Sequence, residues 1–151
     1  MPYSISKKTL AQQPTMALRR QIQPSGIAQT LAEMFQQVFR DAQAKGVGLA
    51  GPPFARYLEM GPGMWTIEAG FPVAGPSADA LPGGMAAVTT HSGPYDKLPE
   101  AHAAVQQWIA AEGLTAAGAP WESYVTDPGN YPDPKDWKTE VFFPLAGPLA
   151  G

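Results

Sequence analysis

Glu68, Glu122 and Glu140 stand among aromatic residues in this chain. Glu122 is two residues from Tyr124, Glu140 is two residues from Phe142, and Tyr57, Trp65 and Trp137 lie in the same kinds of segment. Aromatic rings stack on organic guests and attract cations over their faces, and a carboxylate supplies counter-charge. The set therefore suits a bulky, partly aromatic, cationic small molecule. A desolvated carboxylate is costly unless paired or hydrogen-bonded, which favours a cationic guest or a protonated acid. The same groups also offer acid–base chemistry. Glu140 or Glu122 can take a proton from water while Tyr124 polarises the leaving carbon or hydrogen-bonds the product. Two carboxylates placed close together resist double ionisation, which leaves one of them to serve as the acid.

These residues recur because the chain writes one motif twice. Gly51 to Tyr57 and Gly118 to Tyr124 both read G-x-P-aromatic-x-x-Y. Trp65 to Pro72 and Trp137 to Pro144 both read W-x-x-E-x-x-F-P. The first pair of motifs lies at an offset of 67 residues, which also carries Ser25-Gly26 onto Ser92-Gly93, Val38 onto Val105 and Gly46 onto Gly113. The offset then becomes 72, because the second copy has five extra residues around Gly129-Asn130-Tyr131-Pro132. Two copies are too few for a solenoid. They predict one domain over residues 1–151, with a first repeat at about 15–73, a second at about 84–145, and a shared site where the halves meet.

The elements that must position the motifs follow from periodicity. Alternation and β-branched residues predict strands over 3–10 and 15–22. Ile27, Leu31, Met34, Phe35, Val38 and Ala42 have helical spacing, so 27–45 is an amphipathic helix stopped by Gly46. Strands follow over 53–59 and 64–71. The Gly/Pro/Ser/Ala-rich stretch 73–83 reads as a crossover. The second half repeats the order: a strand over 84–91, a helix from Asp96 to Gly113 with Leu98, Ala101, Val105, Trp108 and Ile109 as its buried stripe, and strands over 120–126 and 137–143. His102 falls on the flank of that helix. The loop 127–136 exceeds a tight hairpin and reads as a lip over a site. The fold class is α+β: two β-α-β-β repeats, an antiparallel sheet, helices on one face and a ligand cleft on the other.

Side chains alternate faces along a strand. In the last strand Trp137, Thr139, Val141 and Phe143 form the more apolar set and are placed against the helices, so Glu140 and Phe142 face the open side. Glu68 follows by the repeat. Hydrophobicity likewise assigns Trp121, Ser123 and Val125 inward, leaving Glu122 and Tyr124 outward, and the repeat places Tyr57 with them. Trp65 and Trp137 sit at the boundary between core and wall.

Bulk properties exclude several function classes. A formal charge of −3 and a pI near 5.3 argue against nucleic acid as partner. There is no cysteine, so no disulfide or thiolate metal site forms. Two separated histidines do not make a catalytic zinc site, and no metal or cofactor is expected. No G-x-S-x-G elbow is present, and no glycine-rich stretch has the Lys-Ser/Thr of a phosphate loop. No apolar run approaches the ~20 residues of a membrane span. The first residues lack a signal-peptide pattern, so the cytoplasm is expected.

Taken together, Gly51-Pro52-Pro53-Phe54, Glu68 to Val73, Leu81-Pro82-Gly83-Gly84, His91 to Asp96, Glu122-Ser123-Tyr124 and Thr139 to Leu145 make a specific signature. By it the chain resembles the GyrI-like small-molecule-binding domain, also met as the effector-binding domain of AraC-type and multidrug-sensing regulators. The resemblance implies two β-α-β-β halves about a pseudo-two-fold, with a ligand cleft between them that holds Glu140 and is lined by tyrosine and tryptophan. It implies a small-molecule ligand as partner. Some members stand alone, as expected here with no helix-turn-helix ahead of the domain. Others are fused to DNA-binding domains, some resemble gyrase-inhibiting proteins, which leaves a protein-binding module as an alternative here, and some hydrolyse strained, cyclopropane-bearing compounds.

Overall fold

The computed structural model describes residues 3–126 and 130–146. Of the expected lip, residues 127–129 lie outside the described residues. The chain divides into two compact units, Gln12–Pro82 and a second made of Met1–Ala11 with Gly83–Gly151.

The contiguous unit begins with β2 (Gln13–Ile22), which leads through a 3₁₀ turn at Pro24–Gly26 into α1 (Ile27–Lys45). Leu31, Met34, Val38 and Ala42 are the buried stripe of α1, spaced to fall on one helical face. Gly46 closes the helix at φ 68°, with its N–H returned to the carbonyls of Ala42 and Gln43. A left-handed residue there costs glycine least. Then come β3 (Phe54–Met60), β4 (Trp65–Pro72) and the short β5 (Asp79–Leu81). The strand order is β3-β4-β2-β5, antiparallel throughout. The stretch expected as a bare crossover thus supplies an edge strand. Helix α1 packs on β2 and β4, where Phe71 meets the rings of Phe35 and Phe39.

The second unit repeats this plan. Its edge is β1 (Ser6–Leu10), followed after the first unit by β6 (Gly84–Ser92), α2 (Leu98–Ala111), β7 (Trp121–Tyr124) and β8 (Lys138–Pro144). The order is β1-β6-β8-β7, again antiparallel. Leu98, Ala101, Val105 and Ile109 of α2 bury against Ala87, Val141, Phe143 and Leu145. Each fully buried aliphatic side chain of this kind contributes about 1.5–3 kcal/mol. Both units are therefore antiparallel sheets covered on one face by a helix, the α+β class that the periodicity predicts.

A polar clasp holds the start of the chain to the second unit. The Tyr3 hydroxyl lies 2.9 Å from Nδ1 of His91, and His91 Nε2 lies 2.9 Å from the Pro94 carbonyl. A carbonyl only accepts, so Nε2 carries the hydrogen, and in the neutral ring Nδ1 accepts from Tyr3. Burial, with a smaller contribution from the Glu100 charge, pushes the Tyr3 hydroxyl above the usual phenol range. Replacing Tyr3 by Phe is expected to cost about 1 kcal/mol, read as a lower urea midpoint with unchanged slope. An unchanged midpoint would mean the clasp contributes nothing.

Candidate site under the second helix

The register of β7 on β8 decides which of the expected residues meet. Opposed residues in an antiparallel pair share a face. Glu122 opposes Val141 and Tyr124 opposes Thr139, whereas Trp121 opposes Phe142 and Ser123 opposes Glu140. Val141 belongs to the core beneath α2. Glu122 and Tyr124 therefore point towards α2, and Glu140 and Phe142 point away from it. This corrects the sequence expectation, which grouped Glu122 and Tyr124 with Glu140. Hydrophobicity misjudged this strand because its most apolar residue serves the far face. There Trp121 stacks on Phe142 with ring centroids 5.1 Å apart and an interplanar angle of 11°. Val125, expected inward, is 48% exposed. The same register separates Glu140 from Glu122, so the two are not an acid–base pair in one site.

Glu122 is only 3% exposed. The Tyr124 hydroxyl donates to its Oε1 at 2.6 Å, and Nε2 of His102 lies 2.7 Å from its Oε2. A carboxylate accepts, so His102 presents its Nε2–H. Helix α2 positions His102, whose ring edge also rests on Phe143 at a centroid distance of 5.4 Å. Beside this pair runs an aromatic strip: the Tyr95 ring is 5.5 Å from that of Tyr124, and Trp137 is 4.7 Å from Tyr95. Tyr95 comes from the 3₁₀ turn Tyr95–Lys97 that enters α2. Trp137 is oriented by its Nε1–H, which donates to the Tyr131 carbonyl at 2.6 Å.

His102 and Tyr95 were not among the residues selected from the sequence. A signal for His102 was present: it lies four residues after Leu98 and three before Val105, which puts it on the buried stripe rather than the flank.

Glu140 is half-buried on the opposite face, opposed by Thr90 of β6 and Ser123 of β7 and one step from the Trp121–Phe142 stack. In the contiguous unit Glu68 is 2% exposed and opposes Arg19 and Arg56. Arg19 Nε donates to Glu68 Oε2 at 2.7 Å, and Arg56 Nη1 lies 3.8 Å from Oε1. The carboxylate, by its hydrogen bond first and its charge second, raises the Arg19 guanidinium above its ordinary value. These two arginines satisfy the buried charge of Glu68. Tyr57 opposes Ile67 rather than Glu68, so it points to the α1 side, which corrects its placement with the open-face glutamates. Its ring meets Trp65 edge-on at 6.0 Å.

Among the described residues no group of three His, Asp or Glu side chains could hold a metal ion. No helix of the described residues is long and apolar enough to cross a membrane.

Comparison with known proteins bears on this geometry. The family model of the GyrI-like small molecule binding domain matches residues 3–146. No curated protein matches the chain in sequence. Among solved structures, the chain is similar to the C-terminal domain of EcmrR, with TM-score 0.84 and 23% identity, covering 98% of this chain and 100% of that one. It is similar to a hydrolase from Listeria innocua, with TM-score 0.62 and 14% identity, covering 96% and 93%. SAV2435, solved bound to tetraphenylphosphonium, aligns with TM-score 0.57 and 13% identity, covering 97% and 95%.

Proposed function

Because the chain belongs to the GyrI-like small-molecule-binding domain family, we propose that it senses or sequesters a bulky hydrophobic cation, held against the Glu122 carboxylate with Tyr124, Tyr95 and Trp137 as walls. The observation that carries this reading is a carboxylate 3% exposed and hydrogen-bonded to Tyr124, whose ring continues into the Tyr95 and Trp137 strip. With its imidazole partner neutral, the Glu122–Tyr124–His102 cluster bears one net negative charge. A phenol and an imidazole solvate that charge without cancelling it, and a cation does cancel it. The ring strip that continues from Tyr124 adds cation–π attraction and apolar contact. The tetraphenylphosphonium bound to SAV2435 is a guest of this chemical type.

Titration with tetraphenylphosphonium, followed by tryptophan fluorescence, tests the proposal. Quenching is expected, because Trp137 stands in the wall. A Trp137→Phe variant that keeps affinity but loses most of the quench would assign the signal to this site. Absence of binding to hydrophobic cations of any size would remove the reading.

A second reading rests on the same hydrogen bond. A phenol and a carboxylate 2.6 Å apart can pass a proton, so Glu122 could serve as base and Tyr124 as acid in hydrolysis of a strained electrophile. Incubation with cyclopropane-bearing compounds and mass spectrometry for water-added product separates the two readings. Multiple turnovers that disappear in Tyr124→Phe while binding survives would establish the hydrolase.

A further inference from the structure

The Glu122 carboxylate already has a built-in competitor for any cation that approaches it. Nε2 of His102 lies 2.7 Å from Oε2, and the two side chains are 18% and 4% exposed. At this separation and burial an imidazolium and a guest cation contend for the same negative charge, because Coulomb energy is weakly screened away from water. We infer that His102 sets the charge selectivity of the site: with its ring neutral the cluster takes a cation, and with its ring protonated the cluster is self-neutralised and takes a neutral guest. This rests on the reading of Glu122 as the counter-charge and adds the control over it.

Among the described residues, other ionisable groups share this sheet face with the pair. From β7, Glu122 and Tyr124 face the imidazole. On the same sheet face β6 carries His91, engaged by Tyr3 and the Pro94 carbonyl, β8 carries no ionisable group, and β1 carries Lys7, which opposes Ala87 and is exposed. On α2 the positions a turn away, Leu98, Pro99, Val105 and Gln106, are uncharged.

The sign follows from competition. A cation that needs the imidazole neutral displaces a proton on binding, so its affinity falls as pH falls, with a limiting slope of tenfold per pH unit. From pH 8 down to pH 5.5 the affinity for tetraphenylphosphonium, which has no titrating proton of its own, is expected to fall, by no more than tenfold per pH unit. Affinity for neutral triphenylphosphine oxide is expected to hold or rise. Calorimetry in two buffers of different ionisation enthalpy, at pH 6.5, should show proton release on binding the phosphonium and none on binding the oxide. His102→Gln keeps an N–H donor without a titrating ring, and its phosphonium profile should be flat over this range. A flat wild-type profile, binding without proton release, or a slope that persists in His102→Gln would each overturn the inference while leaving the counter-charge reading intact. Equal phosphonium affinity of wild type and Glu122→Gln at pH 8 would instead overturn the counter-charge reading, and this inference with it.

Discussion

Replacing Glu122 by Gln is expected to weaken binding of tetraphenylphosphonium by roughly 10- to 100-fold at pH 8. The estimate takes a charge-assisted interaction in a dry setting as worth about 1.5–3 kcal/mol. The amide preserves size but only one of the two acceptor oxygens used by Tyr124 and His102, so one of these partners faces an NH2 group, and the neutral guest is needed to separate charge from this local change. Neutral triphenylphosphine oxide should bind both proteins within about twofold, on the same physical argument. Glu140→Gln is the matched control, because Glu140 points to the opposite face of the same sheet. Its effect on phosphonium affinity should be small. A large loss in Glu140→Gln and none in Glu122→Gln, by fluorescence titration, would move the counter-charge to the far face and restore the placement drawn from the sequence resemblance.

The second large effect concerns stability. A methyl group added at Gly70 would land on the carbonyl oxygen of Met16 and 2.7 Å from the Cα of Ala17. Both are backbone atoms of β2, which pairs with β4 here, so no side-chain rotation relieves the clash. Overpacking a core by a methylene commonly costs 1–3 kcal/mol, and a backbone obstruction belongs at or above the top of that range. Gly70→Ala is expected to lower stability by about 3 kcal/mol or more, a fall of roughly 10 °C in Tm for a chain of this size. Gly118→Ala offers the comparison: its new methyl would find only Pro144 Cγ at 3.9 Å, an ordinary contact, and its Tm should be nearly unchanged. Equal melting of Gly70→Ala and wild type in circular dichroism would show that β2 and β4 do not approach as described.

The elements were legible in the sequence because each repeat states its periodicity plainly. The spacing of Leu31, Met34, Val38 and Ala42 defines one helical face, and the two glycines that stop the helices, Gly46 and Gly113, both adopt positive φ. Two features of the sheets were not legible. The edge strand β5 lies in a Gly/Pro-rich stretch whose pairing with β2 is a long-range matter that no local pattern encodes. The faces of β7 were misread because burial and hydrophobicity part company there: Glu122 is buried by virtue of two hydrogen bonds, and the Trp121 ring serves the far side. Over the span 120–126 assigned from the sequence, one misleading tryptophan outweighed the buried glutamate. β8, with seven residues, was read correctly, and the Glu140 side followed from it. Tyr57 was misplaced by inheritance, since the repeat carried the β7 error back to β3.

The interleaving of the two units has a consequence for synthesis on the ribosome. β1 is translated ahead of the contiguous unit, yet its partner β6 emerges only after the whole of Gln12–Pro82 has been made. The contiguous unit can collapse as it appears, while β1 waits as an unpaired edge. Its Lys7 and Lys8, both exposed, are the kind of charge that discourages a waiting edge from pairing with another chain. The later-made unit thus depends on the earlier-made strand, and nascent chains clipped before Gln12 would lose the edge of the unit that carries Glu122 while sparing the one nearest the cut.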